Sequence, residues 1–159
     1  MPARTLRDGQ IKIADAGGTG GANVITIDLE DGDLAWTERS PANIINDRGS
    51  LSHARLAPDE PCELSFSTMF QSLSKHATPT PYEALKGVGD GSAWVSDEPN
   101  SDVYACIVEF TVEGSDFGDA DETITFARFV AEEVSFQEGD PYDTLSVSGR
   151  AVEIAPSNA

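Results

Sequence analysis

The residues of this sequence that could do chemistry are two histidines, two cysteines and 28 acidic side chains. Neither His53 nor His76 has metal-ligand spacing to a cysteine or to the other histidine. The sequence contains no Gly-x-Ser-x-Gly elbow, and no spacing suggests a Cys–His pair. Cys62 and Cys106 lie in alternating apolar segments, which predicts buried, reduced thiols. These residues predict no metal, no cofactor and no enzymatic activity.

The carboxylates are too numerous to single out a catalytic pair of the glycosidase type. Two acidic runs resemble calcium ligands, and they comprise Asp28, Glu30, Asp31 and Asp33 in one and Asp116, Asp119, Asp121 and Glu122 in the other. Neither run has the twelve-residue loop with a central glycine and a closing glutamate. We interpret both as solvated turns, with weak divalent-cation binding as the lesser alternative. The run Gly17–Gly21 lacks a following Lys-Ser or Lys-Thr, so it predicts a flexible tip and no phosphate loop.

The net charge of the sequence limits the kinds of molecule that the protein can bind. A formal net charge of −18 with no cluster of Lys and Arg predicts a surface that repels nucleic acid. We therefore expect no DNA-reading or DNA-anchoring role, whereas a role in which DNA passes the protein without binding to it stays open. The N-terminus has no apolar run, and no apolar stretch reaches the roughly 18 residues of a membrane helix. We expect a soluble protein made in a cytoplasm.

The first clear structural signal is a predicted hairpin. Residues 24–29 alternate apolar and polar side chains, and Asp31-Gly32 is a strong two-residue turn signal. With that turn, Leu29 would pair with Leu34 and Ile27 with Trp36, which places all four apolar side chains on one face. From Ser40 to Glu60 the pattern weakens around a turn at 47–50. This segment is either an extended functional loop or a further strand.

The remaining elements predict a mainly β protein. Thr80, Pro81 and Glu83 form the signature of a capping box, which begins a helix of about two turns that ends at Gly87 or Gly89. Further strands are predicted at 62–71, 103–113 and 144–154, with a strand pair or one bent strand over 123–137. The expected fold is an antiparallel β-sandwich or barrel with one short flanking α-helix. It forms one domain over 1–159, with an N-terminal arm at 1–10, an extended loop at 40–60 and a C-terminal tail at 155–159.

Three segments resemble the tail tube subunits of long-tailed, siphovirus-type bacteriophages, and they are LEDGDLAWTE (29–38), YEALKG (82–87) and FQEGDPYDTLSVSGR (136–150). The resemblance lies in extended pattern and covers most of the chain. It implies a β-sandwich with a flanking helix, six of which form a ring whose sheets join into an inner barrel. Rings would stack through an extended loop and the terminal arms, and DNA would pass along an acidic lumen. The implied partners are further copies of the chain, the tape measure protein and the terminator. The implied location is the virion tail, after synthesis in the host bacterial cytoplasm.

The resemblance and the residue pattern together assign two sets of site residues. The set expected to face the lumen comprises Glu63, Ser65, Ser67, Glu109, Thr111 and Glu113, with exposure to bulk solvent as the alternative. The set expected in a ring-stacking loop comprises Ile44, Ile45, Asp47, Arg48, Leu51, His53 and Arg55. Competing hypotheses are a tail terminator or baseplate ring protein, a carbohydrate-binding β-sandwich exposing Trp36 or Trp94, and a hydrolase. Trp36 falls on the apolar face of the predicted hairpin, which predicts a core position for it.

Overall fold

Antiparallel strands form most of the structure, as the alternating sequence predicts. The computed structural model describes residues 9–27, 33–56, 60–69, 79–98, 102–112 and 121–158. In chain order the elements in these ranges are β1 (Gly9–Ala14), β2 (Val24–Ile27), β3 (Ala35–Thr37), β4 (Ala42–Asp47), β5 (Ser50–Leu56), β6 (Cys62–Met69), α1 (Pro81–Lys86), a 3₁₀ turn (Gly89–Gly91), β7 (Cys106–Val112), β8 (Glu122–Gln137) and β9 (Thr144–Asn158).

Seven strands form one sheet in the order β2-β1-β7-β8-β9-β6-β3, and β4 and β5 form a separate two-stranded sheet. The long β8–β9 ribbon is the centre of the large sheet. One end of the ribbon pairs with β7, through residues 122–129 of β8. The other end pairs with β6, through residues 144–151 of β9. We call these parts the β1 half-sheet (β2, β1, β7 and the ribbon beside them) and the β6 half-sheet (β3, β6 and the ribbon beside them).

The ribbon turns a corner between the two half-sheets. Phe126 and Phe129 are both fully buried although they are three residues apart, which strict alternation along a flat strand would not allow. Arg128, between them, has a φ of 54°, and its N–H donates to Asp97 Oδ2 at 2.8 Å. A bulge follows between Ala131 and Glu133. Such irregularities bend a strand and increase its twist, so the two half-sheets can face each other.

The core lies between the half-sheets. Trp36 of β3 contacts Phe126 edge-on with ring centroids 5.9 Å apart, although three strand-to-strand steps separate β3 from β8 in the sheet. Phe66 and Phe129 pack with centroids 6.4 Å apart. Full burial of a side chain such as Phe66, Phe126 or Phe129 contributes roughly 1.5–3 kcal/mol. Face-to-face packing of the two half-sheets confirms the predicted antiparallel β-sandwich.

The helix begins and ends where the sequence predicts. Thr80 Oγ1 accepts from the Glu83 N–H at 3.2 Å, and Glu83 Oε1 accepts from the Thr80 N–H at 3.1 Å, which completes the capping box. Gly87 ends the helix with a φ of 65°, a conformation that favours glycine. A helix this short needs tertiary packing. Ala84 and Leu85 provide it, because both are buried in the core cluster.

The predicted pairing of β2 with β3 is wrong. β2 pairs with β1, with Ile27 opposite Ile11, and β3 pairs with β6, with Trp36 opposite Leu64. The two strands therefore lie at opposite edges of the sheet. Alternation shows which side chains point inward but not which strand lies alongside, because any pairing that keeps the apolar faces together satisfies it. Residues 28–32, including Leu29 and the Asp31-Gly32 turn, lie outside the described residues.

Segment boundaries also differ from expectation. The stretch 40–60 carries two strands, β4 and β5, so the further-strand interpretation holds for most of it. Residues 123–137 form one bent strand. The stretch assigned to a C-terminal tail continues β9, and Asn158 pairs with Glu122. Gly9 and Gln10, assigned to the N-terminal arm, already belong to β1, while residues 1–8 and Ala159 lie outside the described residues.

A buried carboxylate joins the glycine-rich loop to the loop before β7. Asp15 is only 4% exposed. Its Oδ1 accepts from the Gly17 N–H at 2.9 Å, and its Oδ2 accepts from Asn23 Nδ2 at 2.8 Å and from the Val95 N–H at 3.2 Å. Burial alone would raise the pKa of Asp15, but these three hydrogen bonds outweigh it and lower the pKa below its ordinary value. The glycine run is therefore anchored at its base.

Substituting Asp15→Asn should destabilise the fold at neutral pH by about 1–3 kcal/mol, because it removes an acceptor from buried donors. A carboxyl whose pKa is lower in the folded state stabilises above its unfolded pKa and loses that contribution as pH falls through the folded value. The difference between parent and variant in urea unfolding should therefore shrink as pH falls below the ordinary aspartate range. Asp102→Asn, at an exposed position, is the control. A difference that is independent of pH would contradict the role of the ionised carboxylate.

Candidate assembly surfaces

The outer face of the β6 half-sheet consists of small polar side chains. Ser65 pairs with Ser148, and Ser67 pairs with Ser146 in the β6–β9 register, with the Ser67 and Ser146 hydroxyls 3.3 Å apart. Glu63 lies on the same face, two residues before Ser65 and opposite Arg150. Three of the six predicted lumen residues therefore share one surface, and serines from the neighbouring strand extend it.

Carboxylates border an open groove on this face. Glu63, Glu132 and Glu133 line the groove together with Arg150 and the exposed part of Trp36. The Arg150 guanidinium donates to Glu132 Oε1. That hydrogen bond raises the pKa of Arg150 above its ordinary value, and the nearby Glu63 adds to the effect. One arginine among three carboxylates leaves the groove acidic.

The other predicted lumen residues lie on a different surface. Glu109 and Thr111 are on the outer face of β7 in the β1 half-sheet, where Lys12 is the neighbour of Glu109 on β1. Glu109 is partly engaged within the chain, since Thr19 Oγ1 donates to its Oε2 at 2.7 Å. Because the half-sheets pack face to face, their outer faces point in opposite directions. Glu113 lies outside the described residues.

The predicted stacking segment is an exposed hairpin. All six side chains of β4 are exposed, as are residues 52–55 of β5. Ile44 is 58% exposed and pairs with Ala54, while Ile45 is 38% exposed and pairs with His53. Isolated two-stranded hairpins are at best marginally stable in water. An apolar pair exposed on such a hairpin is typical of a contact surface for another molecule.

The hairpin turn lies at residues 47–50, where the sequence predicts a turn. Asp47 pairs with Ser50, and the two residues between them, Arg48 and Gly49, have φ values of 51° and 85°. Positive φ at both central positions is typical of the type I′ turn, whose twist matches that of paired strands. Leu51 lies in β5 just after the turn. The predicted stacking residues are thus brought together on one element.

Among the described residues, the β6 half-sheet is open along parts of both edges. β7 pairs with β8 only as far as Phe129, so among the described strands β8 lacks a neighbour on that side over residues 132–135. The end of α1 lies near the start of this stretch, where Lys86 Nζ donates to the Ala131 carbonyl at 2.7 Å. At the opposite edge, β3 has three residues and pairs only with β6 within the described chain. Open edges carry unpaired backbone groups that can bind a strand from another subunit.

The thiols and histidines form no site in the part of the chain that the structure describes. Cys62 and Cys106 are both free and buried, as predicted. Burial raises the pKa of Cys62 and raises that of Cys106 to about 12, so both are poor nucleophiles. His53 lies on the exposed hairpin near the Ser52 hydroxyl, and His76 lies outside the described residues.

The described ranges contain neither a metal-ligand cluster nor a membrane helix. In these ranges no three His, Cys, Asp or Glu side chains are grouped as metal ligands. Also within them, no helix has the length and hydrophobicity that a membrane crossing requires.

The two tryptophans differ in their exposure. Trp94 is 9% exposed and packs in the core, and Trp36 is 41% exposed with one ring edge against Phe126. The core position predicted for Trp36 is therefore wrong, because all three residues of the edge strand β3 are exposed, although the Trp36 ring contacts Phe126.

No protein-family model and no curated protein matches this sequence. Solved structures do match it. The PVC sheath/tube terminator of an extracellular contractile injection system, in the extended state, has a TM-score of 0.65 at 5% identity, covering 99% of this chain and 98% of that one. The tube-terminating cap of the anti-feeding prophage has a TM-score of 0.65 at 6% identity, covering 100% and 93%. The SPP1 tail tube has a TM-score of 0.57 at 9% identity, covering 99% and 80%. At these identities the likeness shows that the chain has a tail-tube-like fold.

Proposed function

We propose that this chain is a structural subunit of a bacteriophage tail tube, which assembles as stacked hexameric rings around a DNA conduit. The observation that carries the proposal is an exposed hairpin with uncovered apolar residues, attached to a tail-tube-like sandwich with open sheet edges. A surface of this kind suits a chain that completes its packing in an assembly. The role is structural and not catalytic, and the partners are further copies, the tape measure protein and the terminator. Synthesis takes place in the host bacterial cytoplasm, and the product is part of the virion tail.

The β6 half-sheet is the part that faces the lumen. Its two edges are open in the described chain at β3 and at residues 132–135 of β8, so neighbouring subunits can extend it around a ring. Its outer face has small serines and acidic groove residues, a surface that repels phosphates and presents few cations. DNA can slide past such a wall without adhesive contacts. In this arrangement Glu63, Ser65 and Ser67 line the conduit, whereas Glu109 and Thr111 face away from it.

Negative-stain electron microscopy of the purified protein, across protein concentration and salt, tests the proposal. Hollow tubes or six-fold rings are the expected result, and salt should favour them because it screens repulsion among subunits of net charge −18. A particle that stops at one ring would favour the terminal-ring alternative, which the likeness to a terminator and a cap keeps open. Monomers under every condition, including in the presence of preformed tail ends, would contradict the tube function.

Thiol labelling of assembled tubes tests which face lines the lumen. Ser65→Cys should react with a maleimide attached to a protein wider than the lumen only while the subunit is free, and labelling should fall to background after assembly. Glu109→Cys should stay reactive in both states. The parent chain gives a low background, because Cys62 and Cys106 are buried and their pKa values are raised. Protection of the Glu109→Cys thiol with continued labelling at position 65 would assign the lumen to the β1 half-sheet instead.

A further inference from the structure

We infer that the β4–β5 hairpin binds, by charge complementarity, the opposite pole of a subunit in the next ring. The receiving pole consists of the turn between β8 and β9 together with Asp33. This inference rests on the proposed tube function and adds which surfaces meet between rings and why they meet in one direction only.

The hairpin and the β8–β9 turn lie at opposite ends of β6. The chain leaves β3 for the hairpin at Thr37, which pairs with Glu63, and it returns to β6 at Cys62. At the other end of β6, Met69 pairs with Thr144, the first residue after the turn. The eight residues of β6 separate the two ends by about 23 Å at 3.3 Å per residue. The hairpin and the turn therefore mark two poles of the subunit.

The hairpin is the basic pole. Arg48 is at its tip and Arg55 is on β5, both exposed, and Asp47 is the single acidic residue between Ser40 and Leu56. No described carboxylate lies within ion-pair distance of either arginine. The segment thus has a net positive charge in a chain whose total is −18. Two uncompensated guanidinium groups on an exposed arm can bind carboxylates of another molecule.

The opposite pole is acidic. Glu138 and Asp140 are exposed in the β8–β9 turn, and Asp143 follows, with its Oδ1 accepting from the Gly139 N–H at 3.1 Å. Asp33 adds a further carboxylate at this end, where its Oδ1 accepts from the Ser67 N–H at 2.8 Å. The sequence from 129 to 149 contains no Lys or Arg. The carboxylates of the turn, Glu138, Asp140 and Asp143, therefore have no cation nearby along β8 and β9.

Opposite charges at opposite poles favour head-to-tail contact. A contact between two different surfaces of identical subunits can repeat from each subunit to the next. When this repetition does not close into a ring, it generates an open filament, and the stacked rings of a tube are related in this way. Two acidic poles, or two hairpins, repel each other, so the charges also set the direction of stacking. The contact would offset part of the repulsion that the net charge imposes on assembly.

Charge exchange between variants tests the inference. Arg48→Asp with Arg55→Glu makes the hairpin acidic, and aspartate is chosen at 48 because it tolerates the positive φ there. Glu138→Lys with Asp140→Lys removes the net negative charge of the opposite pole, because two lysines then balance Asp33 and Asp143, and it leaves Asp143 to hold the turn. The hairpin variant has two acidic poles, and the pole variant has lost the negative charge that attracts its hairpin, so neither should form tubes alone under conditions where the parent chain does. An equimolar mixture should form tubes, because the acidic hairpin then meets the two introduced lysines and the basic hairpin meets an unchanged acidic pole.

The control separates this pairing from overall charge. Asp90→Lys with Asp102→Lys changes the net charge by the same amount as the pole variant, at exposed positions away from both poles. Both of its poles are unchanged, so it should form tubes by itself, and in a mixture the hairpin variant should not be incorporated along those tubes. Thermal unfolding of each variant checks that the fold is intact. Tubes from the hairpin variant or the pole variant alone, or no recovery in the complementary mixture, would overturn the inference while the parent chain still assembles. If the parent chain itself forms no tubes, the proposed function fails and the inference fails with it.

Discussion

Substituting Gly149→Ala is expected to destabilise the fold severely, by about 3 kcal/mol or more, a size that marks backbone strain or a broken core. A Cβ at position 149 would lie 2.0 Å from the Val130 carbonyl oxygen and 3.0 Å from a ring carbon of Phe129. The closest atom belongs to the backbone of β8, so a side-chain rotation cannot relieve the clash. Gly149 pairs with Ala131 beside the bulge, where the two strands come close together.

Chemical denaturation of the free subunit measures this effect, and a matched glycine provides the control. A Cβ added at Gly20 would meet no other part of the chain within 4 Å, and the φ of this residue is not positive. Gly20→Ala should therefore leave the unfolding free energy unchanged or raise it by up to about 1 kcal/mol. An unfolding free energy for Gly149→Ala close to that of the parent would show that the ribbon is not tightly constrained at the corner. The corner would then not be what holds the half-sheets face to face.

Local signals in the sequence predict the local structure well. The capping box of Thr80 and Glu83 gives the helix start, and the sequence of residues 47–50 gives the hairpin turn. Alternation in β6 appears directly in its burial pattern, with Cys62, Leu64, Phe66 and Thr68 buried. Each of these features depends on interactions within a few residues. No long-range information is needed to predict them.

The pairing of strands could not be predicted in the same way. Ile27 pairs with Ile11 and not with Trp36, yet both pairings keep apolar side chains on one face. The choice depends on where the ribbon bends, and the signal for that bend is weak. It consists of two buried phenylalanines, Phe126 and Phe129, three residues apart in an otherwise alternating strand. Recognising that spacing would have indicated a corner.

The same limit explains why the proposed lumen residues divide between two surfaces. Alternation places Glu63 and Glu109 on the polar faces of their strands, and the structure agrees for both. It does not tell which half of a sandwich each strand joins. β6 and β7 belong to different half-sheets, which follows only from the strand order of the whole sheet. Their polar faces therefore point in opposite directions. A pattern of period two therefore predicts orientation within a strand, whereas the choice of surface is a property of the whole sheet.

Substituting Ile44→Asp is expected to abolish tube formation and leave the free subunit folded. Ile44 is 58% exposed and opposite Ala54, so the free chain loses little when the side chain becomes charged. In a tube the same position would be covered, and full burial of an isoleucine is worth roughly 1.5–3 kcal/mol. That loss, together with the cost of burying a carboxylate, would recur at every subunit of a ring. Small effects per subunit thus become a complete loss of assembly.

The control for this prediction is Val152→Asp, because Val152 is 56% exposed and lies at the corner of the ribbon, outside the hairpin and both poles. It introduces the same charge at a position of nearly the same exposure, and tubes should form normally. Thermal unfolding and electron microscopy of both variants give the comparison. If Ile44→Asp assembles as well as the parent chain, the side of the hairpin that carries Ile44 is not buried between subunits. Ring stacking would then depend on the charged poles alone, and the exposed apolar pair would need a different partner.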